Sequence, residues 1–236
     1  MPRPGSLAGM PSRLLSLVVP PTCWICGARA PEAMPLCAAC RRALPWLPER
    51  CCPWCALPVA GGGSHRCPAA RHAFDGARAV VAYEGVAAAV VRAVKDRGAL
   101  PLAEMMGAQL AAAVPGELLR GASIVPVPAH PIRSRMRGFD TAALLAAELA
   151  RRTGRPLEDR LLRRRGWRGR QRGASRAERL AAGRLRIELR RPIPPPAVVA
   201  LVDDVHTTGA TLHTCALALR RGGCERVLAL TWARAL

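Results

Sequence analysis

Apolar positions divide the chain at about residue 72. Beyond it, short runs of small and β-branched residues alternate with stretches of helical spacing. Ala77–Tyr83 reads as a strand. Val86, Val90, Val91 and Val94 mark one face of a helix over Val86–Lys95, which Gly98 stops. A second helix is predicted over Leu102–Ala113, ended by Pro115-Gly116, and a short buried strand over Ile124–Pro128. Thr141–Arg152 is amphipathic, with Asp140 or Thr141 as N-cap and Gly154 beyond its end. Ala197–Val202 is an unbroken apolar run, as expected of a strand buried on both faces of a parallel sheet. It is read as ending in Asp203-Asp204, followed by a turn Val205–Gly209, a helix over Ala210–Arg221 closed by Gly222-Gly223, and a strand over Arg226–Trp232. The expected fold class is therefore α/β: a parallel sheet with helices on both faces over 73–236, preceded by a small module over 1–72.

That first module has little apolar periodicity and holds eight of the ten cysteines. Cys23-x-x-Cys26 and Cys37-x-x-Cys40 repeat a two-residue spacing that presents four thiolates to one Zn²⁺ ion at about 2.3 Å each. Cys52-x-x-Cys55 repeats the knuckle, but only Cys67 follows it; His65 supplies a fourth ligand, with His72, Cys51 or a metal-free site as alternatives. A stretch with so small a core needs such staples, and four protein ligands leave no open position for chemistry. The zinc expected here is structural.

The helix start after Ala197–Val202 carries the candidate chemistry. Thr207, Thr208, Gly209 and Thr211 offer hydroxyls and backbone N–H groups at a helix N-terminus, which suits a phosphate monoester; Val205, His206 and Ala210 complete the loop. Asp203 and Asp204 accept hydrogen bonds from vicinal sugar hydroxyls and can hold the waters of a Mg²⁺ ion. Phosphate at one end and a diol at the other describe a ribose 5-phosphate. The other readings of the acidic pair are a helix-capping turn and a phosphoacceptor aspartate.

The formal charge of +20 favours polyanions, or reflects arginine spread over the surface by a compositional bias; Lys95 is the only lysine. Three aromatic residue types total eight, too few for a stacking surface beside every basic run. The run from Arg163 to Gly173, with Trp167 among arginines, reads as a solvated loop, a hood over the site or a nucleic-acid contact. Leu14–Val19 is too short for a signal sequence, and no segment reaches the roughly 20 apolar residues of a membrane helix. A cytoplasmic protein without membrane insertion is expected.

Val199-Ala-Leu-Val-Asp-Asp-Val-His-Thr-Thr-Gly-Ala-Thr211 resembles the ribose-phosphate signature of type I phosphoribosyltransferases. Joined to the cysteine knuckles, it resembles the ComF family, whose competence members are linked to DNA uptake. Val125-Pro-Val-Pro128, then Arg133, Arg135 and Arg137-Gly-Phe139, resemble that family too, as do Lys95-Asp-Arg-Gly98 and Gln171 ahead of Arg179. Asp140 and Ala182 depart from it, standing where it commonly has Asn, and the second knuckle pair is short of one cysteine.

The resemblance implies a type I phosphoribosyltransferase-like domain behind a double zinc ribbon. It implies binding of phosphoribosyl pyrophosphate with Mg²⁺ and transfer of phosphoribose to an acceptor. Lys95, with Arg97 beside it, would meet the pyrophosphate, and Arg135 and Arg137 would lie on a mobile loop closing over it. The alternative is a non-catalytic adaptor of DNA uptake that binds single-stranded DNA or uptake proteins and only senses the ligand. The acceptor is not legible.

Overall fold

The computed structural model describes residues 21–32, 34–59, 65, 67, 69, 72–165, 186–190 and 194–236, the side chains of 131–133 excepted. Leu14–Val19, Trp167, Gln171, Arg179 and Ala182, and most of the basic run, lie outside the described residues.

Four parallel strands form the sheet, in the order β1-β6-β5-β2: β1 is Gly76–Ala82, β2 Ala122–Pro126, β5 Val198–His206 and β6 Arg226–Arg234. Between β1 and β2 run α2 (Gly85–Arg97) and α3 (Leu100–Ala113), following the five-residue α1 (Ala38–Arg42) of the cysteine module. After β2 come α4 (Pro131–Arg137), α5 (Thr141–Thr153) and a small antiparallel ribbon, β3 (Leu162–Arg164) with β4 (Ile187–Leu189). The helix α6 (Ala210–Arg221) joins β5 to β6.

Helices cover both faces, as expected. On one, Val90, Val94, Leu102, Met106, Leu110, Leu145 and Leu149 pack against Ala200, Val202, Leu230 and Trp232. On the other, Leu212, Cys215 and Leu219 of α6 pack against Val125, Val199, Leu201 and Val227. Alternate residues of β5 thus enter opposite layers, which explains its continuous apolar run. Trp232 is fully buried and donates its indole N–H to Gln109 Oε1 at 2.7 Å.

The helix stops fall where the sequence puts them: Gly98 and Gly154 are left-handed, at φ of 65° and 67°, and Asp140 caps α5 by accepting from Ala142 N at 3.0 Å. Two expectations are corrected. First, β5 does not end at Asp203-Asp204 but runs to His206, because β6 is equally long and its ladder continues through Asp203–Thr231, Val205–Ala233 and His206–Arg234. The turn shrinks to Thr207–Gly209. Second, the segment holding Arg135 and Arg137 is not a loop but a short helix, with Pro131 in its first turn and Gly138 closing it at φ 77°.

The cysteine module lies along the edge strand β1. Leu47 N donates to Val80 O at 3.0 Å, Ala82 N to Pro45 O at 2.8 Å, and Ala77 N to Pro53 O at 2.8 Å. Leu36 and Leu44 of the module join the apolar layer of α2 and α3. Among the described residues, no helix is long and apolar enough to cross a membrane.

The helices α3 and α5 meet at Gly107, where an added Cβ would stand 2.7 Å from Glu148 Cβ and 2.9 Å from its Cγ. Glu148 cannot swing aside cheaply, since Arg151 holds it with bonds of 2.7 and 2.8 Å. Overpacking of about 1–3 kcal/mol outweighs the roughly 1 kcal/mol that alanine gains in helix propensity. Gly107→Ala is expected to lower stability by about 1 kcal/mol in urea unfolding; unchanged or increased stability would show that the two helices separate freely.

Candidate functional site

Pairing of β5 with β2 stops at Val202, opposite Pro126, while pairing with β6 continues to His206. The chain leaving β2 turns away at Pro128, and a cleft of about 240 Å³ opens beside the unpaired edge of β5. Asp203, Asp204 and Thr211 line it from one side; Lys95, Arg137, Asp140 and Arg164 line it from others.

Lys95 reaches into this cleft from the last turn of α2 and binds Asp204 through both oxygens, at 2.7 and 2.9 Å. Asp204 is 7% exposed. Its backbone N–H, beyond the end of the β2 ladder, donates to Asp203 Oδ1 at 2.8 Å. Burial and the Asp204 carboxylate push Asp203 well above the usual carboxylate range, against the opposing pull of that N–H and Lys95. Burial likewise raises Asp140, whose Oδ2 accepts from Ala129 N at 3.1 Å and so ties the exit of β2 to α5.

Beyond the acids, Thr207 and Thr208 are exposed and Thr211 is half-buried, at the start of α6. Gly209 precedes this helix at φ 77°. An added Cβ there would meet His72 Cε1 at 2.7 Å and His206 Nε2 at 2.8 Å, so the turn needs glycine for conformation and for space. Behind the turn, His72, Phe74, His206 and His213 form an aromatic cluster, with ring centroids 4.8 Å apart for His72–Phe74 and 5.7 Å for His72–His213. His206 is 1% exposed, and burial beside Arg234 pushes it down to about 4. Its imidazole supports the turn from within.

Two separate groups of four side chains have metal-ligand geometry. Cys23, Cys26, Cys37 and Cys40 form one; Cys52, Cys55, His65 and Cys67 the other; in each, the ligand atoms lie within 4.8 Å of one another. The Cys26–Cys37 and Cys52–Cys67 sulfur separations of 3.6 and 3.7 Å approach the ~3.8 Å edge of a tetrahedron with 2.3 Å zinc–sulfur bonds. Cys55 Sγ lies 3.1 Å from His65 Nε2. Burial raises Cys23, but the N–H groups of Cys26, Cys37 and Ile25 outweigh it and bring the thiol down to about 6. Burial and its thiol neighbours push Cys55 up to about 12. Thiols packed this closely shed a first proton readily and resist losing the last, and a divalent cation relieves that repulsion. The donor set fits zinc, and the four-ligand sets are closed, as structural centres are. His65 completes the second set of four donor atoms; Cys51 instead points its thiol at Pro48 O, 3.2 Å away, and His72 belongs to the aromatic cluster.

Residues 14–71 match the family described as the double zinc ribbon domain. Competence protein F of Haemophilus influenzae (strain ATCC 51907 / DSM 11121 / KW20 / Rd) is 34% identical over 122 residues, 48% of this chain and 50% of that protein. These two matches support a ComF-family assignment. The chain spans about half the length of the curated relative it matches. Among solved structures, the allosteric regulatory enzyme of purine biosynthesis is 22% identical at a TM-score of 0.36, covering 55% of this chain and 25% of that one. The protein TT1426 from Thermus thermophilus is 25% identical at a TM-score of 0.31, covering 55% of this chain and 72% of that one.

Of the residues singled out in the sequence, Asp203, Asp204, Thr211, Lys95 and Arg137 share the cleft. Arg135 is exposed on α4 and does not line it, and Val205 packs beside the apolar layer of α2 and α3. Ala210 is exposed. Arg164, in the run read as a solvated loop, a hood or a nucleic-acid contact, lines the cleft, and so does Asp140, read as a cap and as a departure from the family pattern. Sequence reasoning missed Arg234 altogether, although a charge just past the mostly apolar stretch Val227–Ala233 is a signal.

Two outcomes follow from this geometry. The full chain should carry two zinc ions by elemental analysis, falling to one in Cys67→Ser or His65→Ala; one ion in the wild type would reduce the second set to a packing cluster. Asp203 is raised, so its ionised form destabilises the fold at pH values above its folded-state pKa, and this cost vanishes below the unfolded-state value. Asp203→Asn should therefore raise the melting temperature at neutral pH, and the gain should fade on acidification; a gain independent of pH would assign it to something other than charge.

Proposed function

We propose that this chain binds a 5-phosphoribosyl ligand, phosphoribosyl pyrophosphate in complex with Mg²⁺, and transfers its phosphoribose to an acceptor. On this reading residues 1–72 are a zinc-held module and 73–236 the ligand-binding domain. The observation that carries it is that two adjacent carboxylates, a lysine and the hydroxyl-rich start of a helix share the carboxyl end of one parallel strand. That is where open α/β sheets bind their ligands.

The roles follow from charge and position. The N–H groups and hydroxyls of Thr207, Thr208 and Thr211 would hold the 5-phosphate over the N-terminus of α6. Asp203 and Asp204 would accept the ribose hydroxyls. Their hard oxygen donors also suit Mg²⁺, which when bound would supply neutralising charge to the pyrophosphate. Lys95 and Arg137 would stabilise the negative charge that gathers as the C1–oxygen bond breaks and pyrophosphate departs with the electron pair. The acceptor then supplies the pair for the new bond to C1 and gives up its proton. The loose, oxocarbenium-like character expected of this step asks the protein for placement and electrostatics more than for a covalent partner.

Calorimetric titration of phosphoribosyl pyrophosphate with Mg²⁺ tests the reading. Binding is expected in the wild type and lost in Asp203→Asn/Asp204→Asn. The Asp203 carboxyl must ionise to engage the ligand, so affinity should fall as pH drops through its raised value, and binding should release protons, detectable as a dependence on buffer ionisation enthalpy. Folded, zinc-loaded wild type that binds nothing would defeat the reading.

A further inference from the structure

Arg234, the last residue of β6, is a buried cation, 5% exposed. Among the described residues no carboxylate pairs with it. Its guanidinium is divided between two structures that the sequence keeps far apart. Nε donates to Cys55 O at 2.8 Å, within the second four-ligand set; Nη1 donates to His206 O at 2.9 Å and Thr207 O at 2.7 Å, at the start of the ligand loop. Ala235 N adds a bond to His206 O at 3.0 Å.

The geometry of the peptide unit gives these contacts a consequence. In a trans peptide the carbonyl and the following N–H point in opposite directions. Drawing the carbonyls of His206 and Thr207 inward onto Arg234 therefore turns the N–H groups of Thr207 and Thr208 outward, away from the protein interior. Those are the groups of the proposed phosphate cradle. The charge balance points the same way. A Zn²⁺ ion with three thiolates and a neutral histidine would retain about one negative charge, and that half-buried anion would be the natural counter-ion for Arg234. Remove the ion, and the knuckle carbonyl and the counter-charge are both released. A neutral side chain could make some of these bonds; only a forked cation meets both carbonyl sets and the charge.

We infer that Arg234 is a positioning residue that makes the shape of the Thr207–Thr211 loop conditional on zinc in the second centre. The inference rests on reading that loop as the ligand-binding element and adds a requirement to it: the second zinc sets the cradle as well as stapling the ribbon.

The test compares the full-length, zinc-loaded protein with Cys67→Ser, Arg234→Lys and their combination. Zinc per chain is counted by native mass spectrometry. Amide hydrogen exchange is followed in peptides covering 205–211, with 199–202 as an internal control for folding. Cys67→Ser should lose one zinc and speed loop exchange about tenfold, and Arg234→Lys should do the same to the loop while keeping both zinc ions. The double variant should add nothing, since both act through one connection. Arg234→Lys with wild-type loop exchange, or effects that sum in the double variant, would overturn the inference. Stepwise chelation of the wild type, followed by zinc re-addition, gives a readout without substitution should the variants lose protection at 199–202. There, loop exchange must rise as the second zinc leaves and recover on its return; a loop indifferent to that zinc sinks the inference. No ligand enters these measurements, so failure to bind phosphoribosyl pyrophosphate would defeat the proposed function and leave this result standing.

Discussion

The unequal pairing of β5 is the constraint on which the rest depends. The strand is hydrogen-bonded to β2 on one edge and β6 on the other as far as Val202, with apolar layers on both faces. A one-residue slip would exchange the two layers, so the register is strongly specified. Past Val202 only β6 continues. Four residues of β5 then project with one edge unpaired, held rigidly from behind. Asp204 shows the local result: its N–H finds the carboxylate of Asp203 in place of a strand. The cleft exists because one neighbour stops four residues before the other.

Much of this was legible because burial leaves a mark on sequence. The apolar run before Asp203, the glycines at 98 and 154, and the cap at Asp140 each report a local physical requirement, and each falls where expected. The extension of β5 was not legible: Asp-Asp-Val-His carries neither an apolar run nor clean alternation, because two of its side chains are committed to the cleft. The helix at Pro131–Arg137 has too few turns and too many arginines to show a periodic face. Paired two-residue cysteine spacings are nearly self-explanatory, whereas choosing among His65, His72 and Cys51 requires distances. Arg234 was hidden differently. Its place two residues after Trp232, at the end of a mostly apolar stretch, is the one mark it leaves, and among 36 basic residues that mark is easily passed over.

The zinc module is more than an appendage to the sheet. An edge strand presents unpaired backbone groups, and β1 would be such an edge; Pro45–Leu47 occupy part of it and Pro53 O accepts from Ala77 N. In return, the module contributes Leu36 and Leu44 to a layer it could not form alone. Each side satisfies what the other lacks, so loss of zinc is expected to be felt at β1 as well as in the knuckles.

The charge pattern of the cleft bears on what it can accept under the proposed reading. Three acidic residues, Asp140, Asp203 and Asp204, and three basic ones, Lys95, Arg137 and Arg164, line it. A pyrophosphate-bearing ligand arriving alone would meet repulsion from the acids. One arriving with a divalent cation brings charge that the acids attract, while its pyrophosphate competes for Lys95. Because Lys95 already occupies Asp204, that competition has a second effect: withdrawing the lysine leaves a carboxylate in a partly buried site in need of a cation. On that reading the two exchanges support each other. On the proposed reading, selection for a metal-complexed anion over a free one would follow from the Lys95–Asp204 contact, without any residue dedicated to discrimination.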